Sequence, residues 1–160
     1  MNKWNQENSF YLTSDKSRIQ KLLDHNEIYK KISKIKGDII ECGVFKGVSL
    51  IRFLTFRDID KSSKTQNVYG FDAFGNFPKP TPDKRHKKRD IKFAKYHDNK
   101  IGLGINVKKL DNILRKKGFK NYKLIKGDVT KTIDQFINKK KKLKISLLHL
   151  DMDIYFPTKY

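Results

Sequence analysis

Apolar residues recur along the chain in short segments that alternate between helical and strand-like spacing. Residues 1–16 show no periodicity, and we expect an irregular N-terminal arm there. Helical spacing begins near Ile19 and extends to Ile35, and short apolar runs typical of buried strands follow at intervals. The pattern predicts strands at residues 38–42, 67–72, 121–126 and 143–150, and further helices at 48–54, 105–117 and 130–137.

A helix followed by alternating strands and helices is the order of a doubly wound α/β domain with a parallel sheet. The 160 residues suffice for one domain, and we assign residues 17–160 to it. In such sheets ligands bind beyond the carboxyl ends of the strands. Residues 73–103, which contain three of the four prolines, are predicted to form a long loop near that end.

Acidic residues collect at the predicted strand ends. The chain has 17 acidic against 37 basic residues and a formal net charge of +20, so this placement is not a consequence of composition. Aspartates at such turns are also common as helix caps, which would explain some of them. The alternative is a ring of carboxylates around one ligand. The residues concerned are Glu41, Asp72, Asp128, Asp151 and Asp153.

The basic excess is mostly lysine and is densest at residues 84–89 and 139–142. A basic surface attracts polyanions and steers acidic substrates. Readers of nucleic-acid sequence use Arg for base contacts, and single-strand binders use exposed aromatic platforms, but neither pattern is visible. RNA binding is therefore an alternative supported by charge alone, since solvated turns and loops account for the same runs.

The cysteine count and the N-terminus exclude further classes. Cys42 is the one cysteine, which excludes a disulfide scaffold and a Cys-based zinc site. The N-terminus lacks the basic start and apolar run of a signal peptide. The most apolar stretch, residues 39–56, is interrupted by Glu41, Lys46 and Arg52. We therefore expect a cytoplasmic protein without a membrane span.

The loop after the first strand contains Gly43 and Gly47, which allow a ligand to approach the backbone closely. Its spacing differs from the G-x-G-x-x-G of dinucleotide sites, and Glu41 would lie beside a diphosphate. S-adenosylmethionine carries no phosphate, and its ammonium and sulfonium groups suit an acid at this position. Asp72 is placed to accept both ribose hydroxyls, and Asp128 could line the adenine pocket. These residues favour adenosylmethionine over a dinucleotide.

Three segments resemble motifs of the macrocin O-methyltransferase (TylF-type) family, which belongs to the class I S-adenosylmethionine-dependent methyltransferases. They are residues 37–47 (GDIIECGVFKG), residues 69–78 (YGFDAFGNFP, with Ala73 where Ser is usual) and residues 148–158 (LHLDMDIYFPT, with a D-x-D-x-Y-x-P-T signature). The resemblance covers roughly residues 17–160. It implies a Rossmann-like parallel sheet with flanking helices, and methyl transfer to sugar hydroxyls, usually with Mg²⁺.

The resemblance implies a role for each matched residue. Asp151 would bind the metal, and Asp153 would be the general base that takes the proton from the substrate hydroxyl. Two residues spaced i, i+2 in an extended segment project to the same side, which is compatible with these two roles. The expected cofactor-binding residues are Glu41, Gly43, Gly47, Ser49, Asp72 and Asp128.

Members of that family continue beyond the last motif, whereas this sequence ends at Tyr160. We therefore expect a sheet without the C-terminal strands, an incomplete Mg²⁺ site at Asp151 and a partly uncovered fourth strand. The alternative to an active enzyme on a sugar-containing acceptor is a catalytically inactive truncated remnant that binds adenosylmethionine or a partner chain. A homo-oligomer or a companion chain would then cover the exposed sheet.

Overall fold

The computed structural model describes residues 2–60, 65–77 and 85–160. No helix within these ranges combines the length and the apolar character that a bilayer span requires. The helices are α1 (Lys3–Thr13), α2 (Lys16–Ile32), α3 (Val48–Ile59), α4 (Lys87–Lys100), α5 (Val107–Lys116), α6 (Val129–Lys139) and α7 (Tyr155–Lys159). The strands are β1 (Asp38–Cys42), β2 (Val68–Asp72), β3 (Tyr122–Lys126) and β4 (Ile145–Leu150).

The strands form one parallel sheet in the order β3-β2-β1-β4. The central strand β1 pairs with β2 on one side, where Ile40 lies opposite Tyr69, and with β4 on the other, where Ile40 lies opposite Leu148. Because all strands run in the same direction, their carboxyl ends lie along one edge of the sheet. The predicted α/β fold with a parallel sheet and flanking helices is confirmed.

The central strands are buried on both faces, which explains their nearly continuous apolar sequences. Successive side chains point to opposite faces and contribute to two cores. Ile39 and Val68 belong to the core that contains side chains of α2, α3 and α5. Ile40 and Phe71 belong to the core that contains Phe136 of α6. The sheet is therefore the middle layer of the fold.

The fourth strand has an exposed apolar face, as expected from the sequence. Leu148 and Leu150 lie on the same face of the sheet as their β1 partners Ile40 and Cys42, and they are 51% and 44% exposed. Leu147 points to the opposite face and packs against the core. Within the described residues, one face of β4 is therefore packed against the core and the other is exposed.

The N-terminal arm is helical, which corrects our expectation of an irregular segment at residues 1–16. The side chain of Asn2 caps α1 by accepting a hydrogen bond from the amide of Asn5. None of the residues of α1 is buried. A helix that packs against no core needs no apolar stripe, so periodicity did not reveal it. The division into this arm and a domain over residues 17–160 stays a prediction.

The segment predicted to be a loop, residues 73–103, contains the 14-residue helix α4, which is a second correction. The buried side chains of α4 are Asp90 and His97. The buried face of α4 thus contains polar residues. The sequence of α4 therefore lacks the apolar periodicity that predicts a helix. The basic run at 84–89 leads into the start of α4. Pro78, Pro80, Pro82 and Lys84 lie outside the described residues.

Arg57 ties the last turns of α3 to the segments that precede β2 and β3. Its side chain is 1% exposed, and its guanidinium donates to the carbonyl oxygens of Gln66, Lys120 and Asn121 at 2.7–3.0 Å. The carboxylate of Asp58 accepts two further hydrogen bonds from the same group. Five donors in one plane allow a single side chain to serve these acceptors.

We expect Arg57→Met to lower the free energy of unfolding by about 2–4 kcal/mol, because three carbonyl groups lose their partner inside the fold. Denaturant unfolding followed by circular dichroism measures this loss. Arg115→Met is the matched control, since Arg115 forms an exposed pair with Asp111 one turn away and should matter little. Equal losses in the two variants would contradict the role of Arg57.

The imidazole of His25 in α2 is buried and stacks on the ring of Phe53, with 5.2 Å between ring centroids. Burial lowers the pKa of His25 to about 4, and nearby positive charge acts in the same direction. The neutral imidazole is therefore the form that the fold accommodates. The charged groups facing it are His149 of β4, Arg52 of α3 and Lys21 of α2, with Asp151 opposing them.

Stability should consequently fall as the pH is lowered from about 6.5 to about 4. In this window the unfolded chain, with an ordinary histidine pKa of 6.5, binds a proton that the folded chain does not. We expect a contribution of up to about 3 kcal/mol, because a pKa difference of one corresponds to about 1.4 kcal/mol. Denaturant unfolding of the wild type and of His25→Gln across this pH range isolates the contribution. Parallel pH profiles for the two proteins would refute it.

Candidate functional site

A cavity lies at the carboxyl edge of the sheet, between the strand ends, α4 and the start of α7. Aspartates from several elements line it, and the described part of its lining contains no Lys or Arg. In a chain of net charge +20 this makes the cavity a region of negative potential. Its charged or ionisable lining residues are Asp72, Asp98, Asp128, Asp151, Asp153 and His97.

The predicted site residues divide into two groups. Five of them line the cavity: Gly43, Asp72, Asp128, Asp151 and Asp153. The other three are buried and do not contribute to the described lining: Glu41, Gly47 and Ser49. The parallel sheet thus brings the strand-end aspartates together at the cavity. The other three residues lie inside the fold, behind the first loop.

Asp72 holds the loops that follow β1 and β2. Its Oδ2 accepts hydrogen bonds from the backbone amides of Val44 at 2.8 Å and Phe45 at 2.9 Å. Its Oδ1 accepts one from the amide of Phe74 at 2.5 Å. A carboxylate offers about four acceptor positions, so the backbone uses three and leaves one for a ligand. This is less than the two ribose hydroxyl bonds expected from the sequence.

Two of the residues bound to Asp72 have unusual backbone angles. Phe45 has a φ of +51° and Phe74 a φ of +52°, in the left-handed region that bulky residues rarely occupy. Such a conformation costs on the order of 1–3 kcal/mol. Hydrogen bonds from both amides to a charged acceptor offset this cost. The carboxylate of Asp72 therefore selects the shape of both loops.

Gly43 allows the segment after β4 to approach the first loop. Its φ is +94°, and a Cβ atom at this position would lie 2.0 Å from the carbonyl oxygen of Asp151. The amide of Asp151 in turn donates to the carbonyl of Cys42 at 2.9 Å. A glycine is required here because a side chain would separate the loops that carry Asp72 and Asp151.

Glu41 is fully buried next to β4. Its Oε1 lies 3.1 Å from Nδ1 of His149, and its Oε2 has no hydrogen-bond partner among the described residues. Burial raises the pKa of Glu41, while hydrogen bonds with His149 and Ser49 oppose the rise. The sequence did not reveal this pair, since it depends on the register that places Glu41 opposite His149.

Asp128 caps a helix, which is the alternative role that the sequence analysis considered for acidic residues at strand ends. Its Oδ1 accepts hydrogen bonds from the amide of Thr130 at 3.0 Å and from its hydroxyl at 2.8 Å. The same side chain also lines the cavity. Capping and ligand binding are compatible because a carboxylate retains further acceptor positions.

The D-x-D pair lies at the mouth of the cavity. The Oδ2 atom of Asp151 is 3.4 Å from Nζ of Lys21 in α2. Burial raises the pKa of Asp153, and the neighbouring charge of Asp151 acts in the same direction. No group of three or more His, Cys, Asp or Glu side chains in the described ranges could hold a metal ion. Mg²⁺ prefers about six oxygen ligands, and the described carboxylates supply only part of such a set.

The ionisable lining residues that the sequence analysis missed are His97 and Asp98 of α4. Both lie in the segment that was predicted to be a loop. The spacing of Phe93 and His97, one helical turn apart, is the signal that could have found them.

The family model described as Macrocin-O-methyltransferase (TylF) matches residues 10–159. A search of curated proteins found no match. Three solved structures show the fold. A calicheamicin methyltransferase, CalS11, has a TM-score of 0.67 and 21% identity, over 99% of this chain and 63% of its own.

The apo structure of CalS11, there described as a TDP-rhamnose 3'-O-methyltransferase in calicheamicin biosynthesis, has a TM-score of 0.63 and 21% identity, over 99% of this chain and 62% of its own. The O-methyltransferase NovP has a TM-score of 0.63 and 17% identity, over 87% of this chain and 56% of its own. The chain thus spans less than two thirds of the length of these structures. The family match extends over nearly the whole chain and shows that it belongs to the macrocin O-methyltransferase (TylF) family.

Proposed function

We propose that this chain binds S-adenosylmethionine and transfers its methyl group to a hydroxyl of a sugar or sugar-like acceptor. The observation that carries the proposal is a cavity lined by five aspartates and, in its described part, by no Lys or Arg. Such a cavity attracts the ammonium and sulfonium of adenosylmethionine. Membership of the macrocin O-methyltransferase family supports the same cofactor.

Residues of three strand-end loops would hold the cofactor. Gly43 permits close approach of the backbone, and Asp72 has one acceptor position left for a ribose hydroxyl. Asp128, at the start of α6, lies in the third loop and would border the adenine. Glu41 and Ser49 would act from beneath the first loop, where their polar groups are already close to one another. Bound adenosylmethionine supplies the methyl group and the sulfonium leaving group.

Asp153 is the general base in this proposal. Asp153 lines the cavity, and its raised pKa makes it a stronger proton acceptor than an aspartate of ordinary pKa. It takes the proton of the acceptor hydroxyl while the oxygen forms a bond to the methyl carbon and the carbon–sulfur bond breaks, leaving the electron pair on sulfur. The walls of the cavity align the reactants and exclude water. No role is assigned to Mg²⁺, because the described residues contain no group of three or more side chains that could hold a metal ion.

A sugar-containing acceptor is supported by the solved structures of similar fold, since CalS11 is described as acting on TDP-rhamnose. A second candidate is a binding protein without methyl transfer that acts together with another chain. The exposed leucines of β4, Leu148 and Leu150, favour this alternative because they form an apolar face suited to a partner. Activity measurements separate the two.

Calorimetric titration with S-adenosylmethionine and S-adenosylhomocysteine tests the cofactor. We expect Asp72→Asn to weaken binding by about tenfold or more, because the NH₂ that replaces one carboxylate oxygen cannot accept either from the amides of Val44 and Phe45 or from that of Phe74. Asp24→Asn is the matched control, since Asp24 is an exposed residue of α2 that does not line the cavity. If the wild type binds neither compound, the cofactor assignment is wrong.

Transfer of a labelled methyl group to TDP-rhamnose and other sugar nucleotides tests the chemistry. We expect Asp153→Asn to reduce the rate by about 100-fold or more while the affinity for S-adenosylhomocysteine is retained, since only the proton acceptor is removed. Asp24→Asn, an exposed change on α2, controls for lost negative charge. Full activity of Asp153→Asn would exclude the base role, and a wild type that binds the cofactor without transferring methyl would favour the second candidate.

A further inference from the structure

Two neighbouring side chains on α4 have buried polar atoms without partners. Nδ1 of His97 and Oδ1 of Asp98 are both shielded from solvent and form no hydrogen bond among the described residues. The two atoms are 4.0 Å apart, which is too long for a hydrogen bond between them. Both residues line the cavity. Unsatisfied buried groups are uncommon in proteins and call for an explanation, of which a bound water, ion or ligand is one.

The His97 ring is held in one orientation by aromatic neighbours. It is 7% exposed, and its centroid lies 4.9 Å from that of Phe45, 5.1 Å from that of Phe77 and 5.9 Å from that of Phe93. Phe45 belongs to the loop that Asp72 fixes through its amide. The ring that carries Nδ1 is therefore packed among aromatic side chains. A group that binds a ligand selectively needs its orientation fixed in this way.

The geometry of the two atoms matches one hydroxyl group. A single oxygen can lie about 2.8 Å from each of two atoms that are 4.0 Å apart. A hydroxyl donates to the carboxylate of Asp98 and accepts from an Nδ1–H of His97 at the same time. A phosphate or carboxylate of a ligand would only accept, and Asp98 would repel it.

The pair lies near the proposed base. His97, Asp98 and Asp153 line the same cavity, and positive charge at His97 acts to lower the pKa of Asp153. The cofactor loops follow β1, β2 and β3, whereas the pair belongs to α4. It is thus positioned to contact the acceptor beside Asp153.

We propose that His97 and Asp98 form a hydroxyl-binding subsite for the acceptor. The subsite rests on the proposed function and sharpens it: Asp153 takes the proton of the hydroxyl that is methylated, while the pair binds a second hydroxyl of the same molecule. The acceptor is therefore polyhydroxylated, as a sugar ring is. Selection arises because an acceptor that lacks the second hydroxyl leaves both buried groups unpaired.

Calorimetric titration with TDP-rhamnose, on protein saturated with S-adenosylhomocysteine, tests the subsite. Asp98→Asn is isosteric, and His97→Leu removes the ring nitrogen. His97→Asn is the rescue variant, because its side-chain amide can place a donor near the position of Nδ1. Asn99→Ala, an exposed change on the same helix, is the matched control. Circular dichroism checks that each variant is folded.

We expect His97→Leu and Asp98→Asn each to weaken TDP-rhamnose binding by about tenfold or more, with partial recovery in His97→Asn and no change in Asn99→Ala. The affinity for S-adenosylhomocysteine should stay within about twofold in every variant. Three results would overturn the subsite: unchanged TDP-rhamnose binding in both variants, an equal loss of cofactor affinity, or no TDP-rhamnose binding by the cofactor-loaded wild type. Failure of the wild type to bind S-adenosylhomocysteine would instead refute the proposed function itself.

Discussion

The carboxylate of Asp72 accepts hydrogen bonds from the amides of Val44, Phe45 and Phe74, and the rest of the carboxyl edge depends on this interaction. It joins the loops after two adjacent strands and keeps two phenylalanines in the left-handed region of backbone space. The ring of Phe45 in turn contacts His97, so α4 packs against a loop that the same carboxylate holds. An acid at a strand end here organises the site before any ligand is bound.

Charge is distributed unequally between the site and the surface. Lysines and arginines dominate the chain, yet aspartates line the described cavity and repel one another there. The raised pKa values of Glu41 and Asp153 follow from burial among carboxylates, and Lys21 compensates part of this charge at Asp151. A cationic ligand, such as the proposed adenosylmethionine, would relieve the remaining repulsion.

The buried strands and the strand-end aspartates were predictable because each depends on local sequence. DIIEC and VYGFD are apolar enough to be central strands, and parallel strands bring their carboxyl ends together whatever the details of packing. Helices α1 and α4 were missed for opposite reasons. None of the residues of α1 is buried, whereas α4 buries the polar Asp90 and His97, and neither case produces an apolar stripe.

The sequence by itself determined the class of fold, the edge of the sheet where the site lies and the five cavity residues that follow strands. Only the tertiary structure decided what their atoms do. Asp72 bonds to backbone amides, Asp128 caps a helix, Glu41 pairs with His149 through strand register, and Asp151 contacts Lys21 from α2. These partners are distant along the chain, and the periodicity of a sequence records the burial of each residue but not which distant residue it meets.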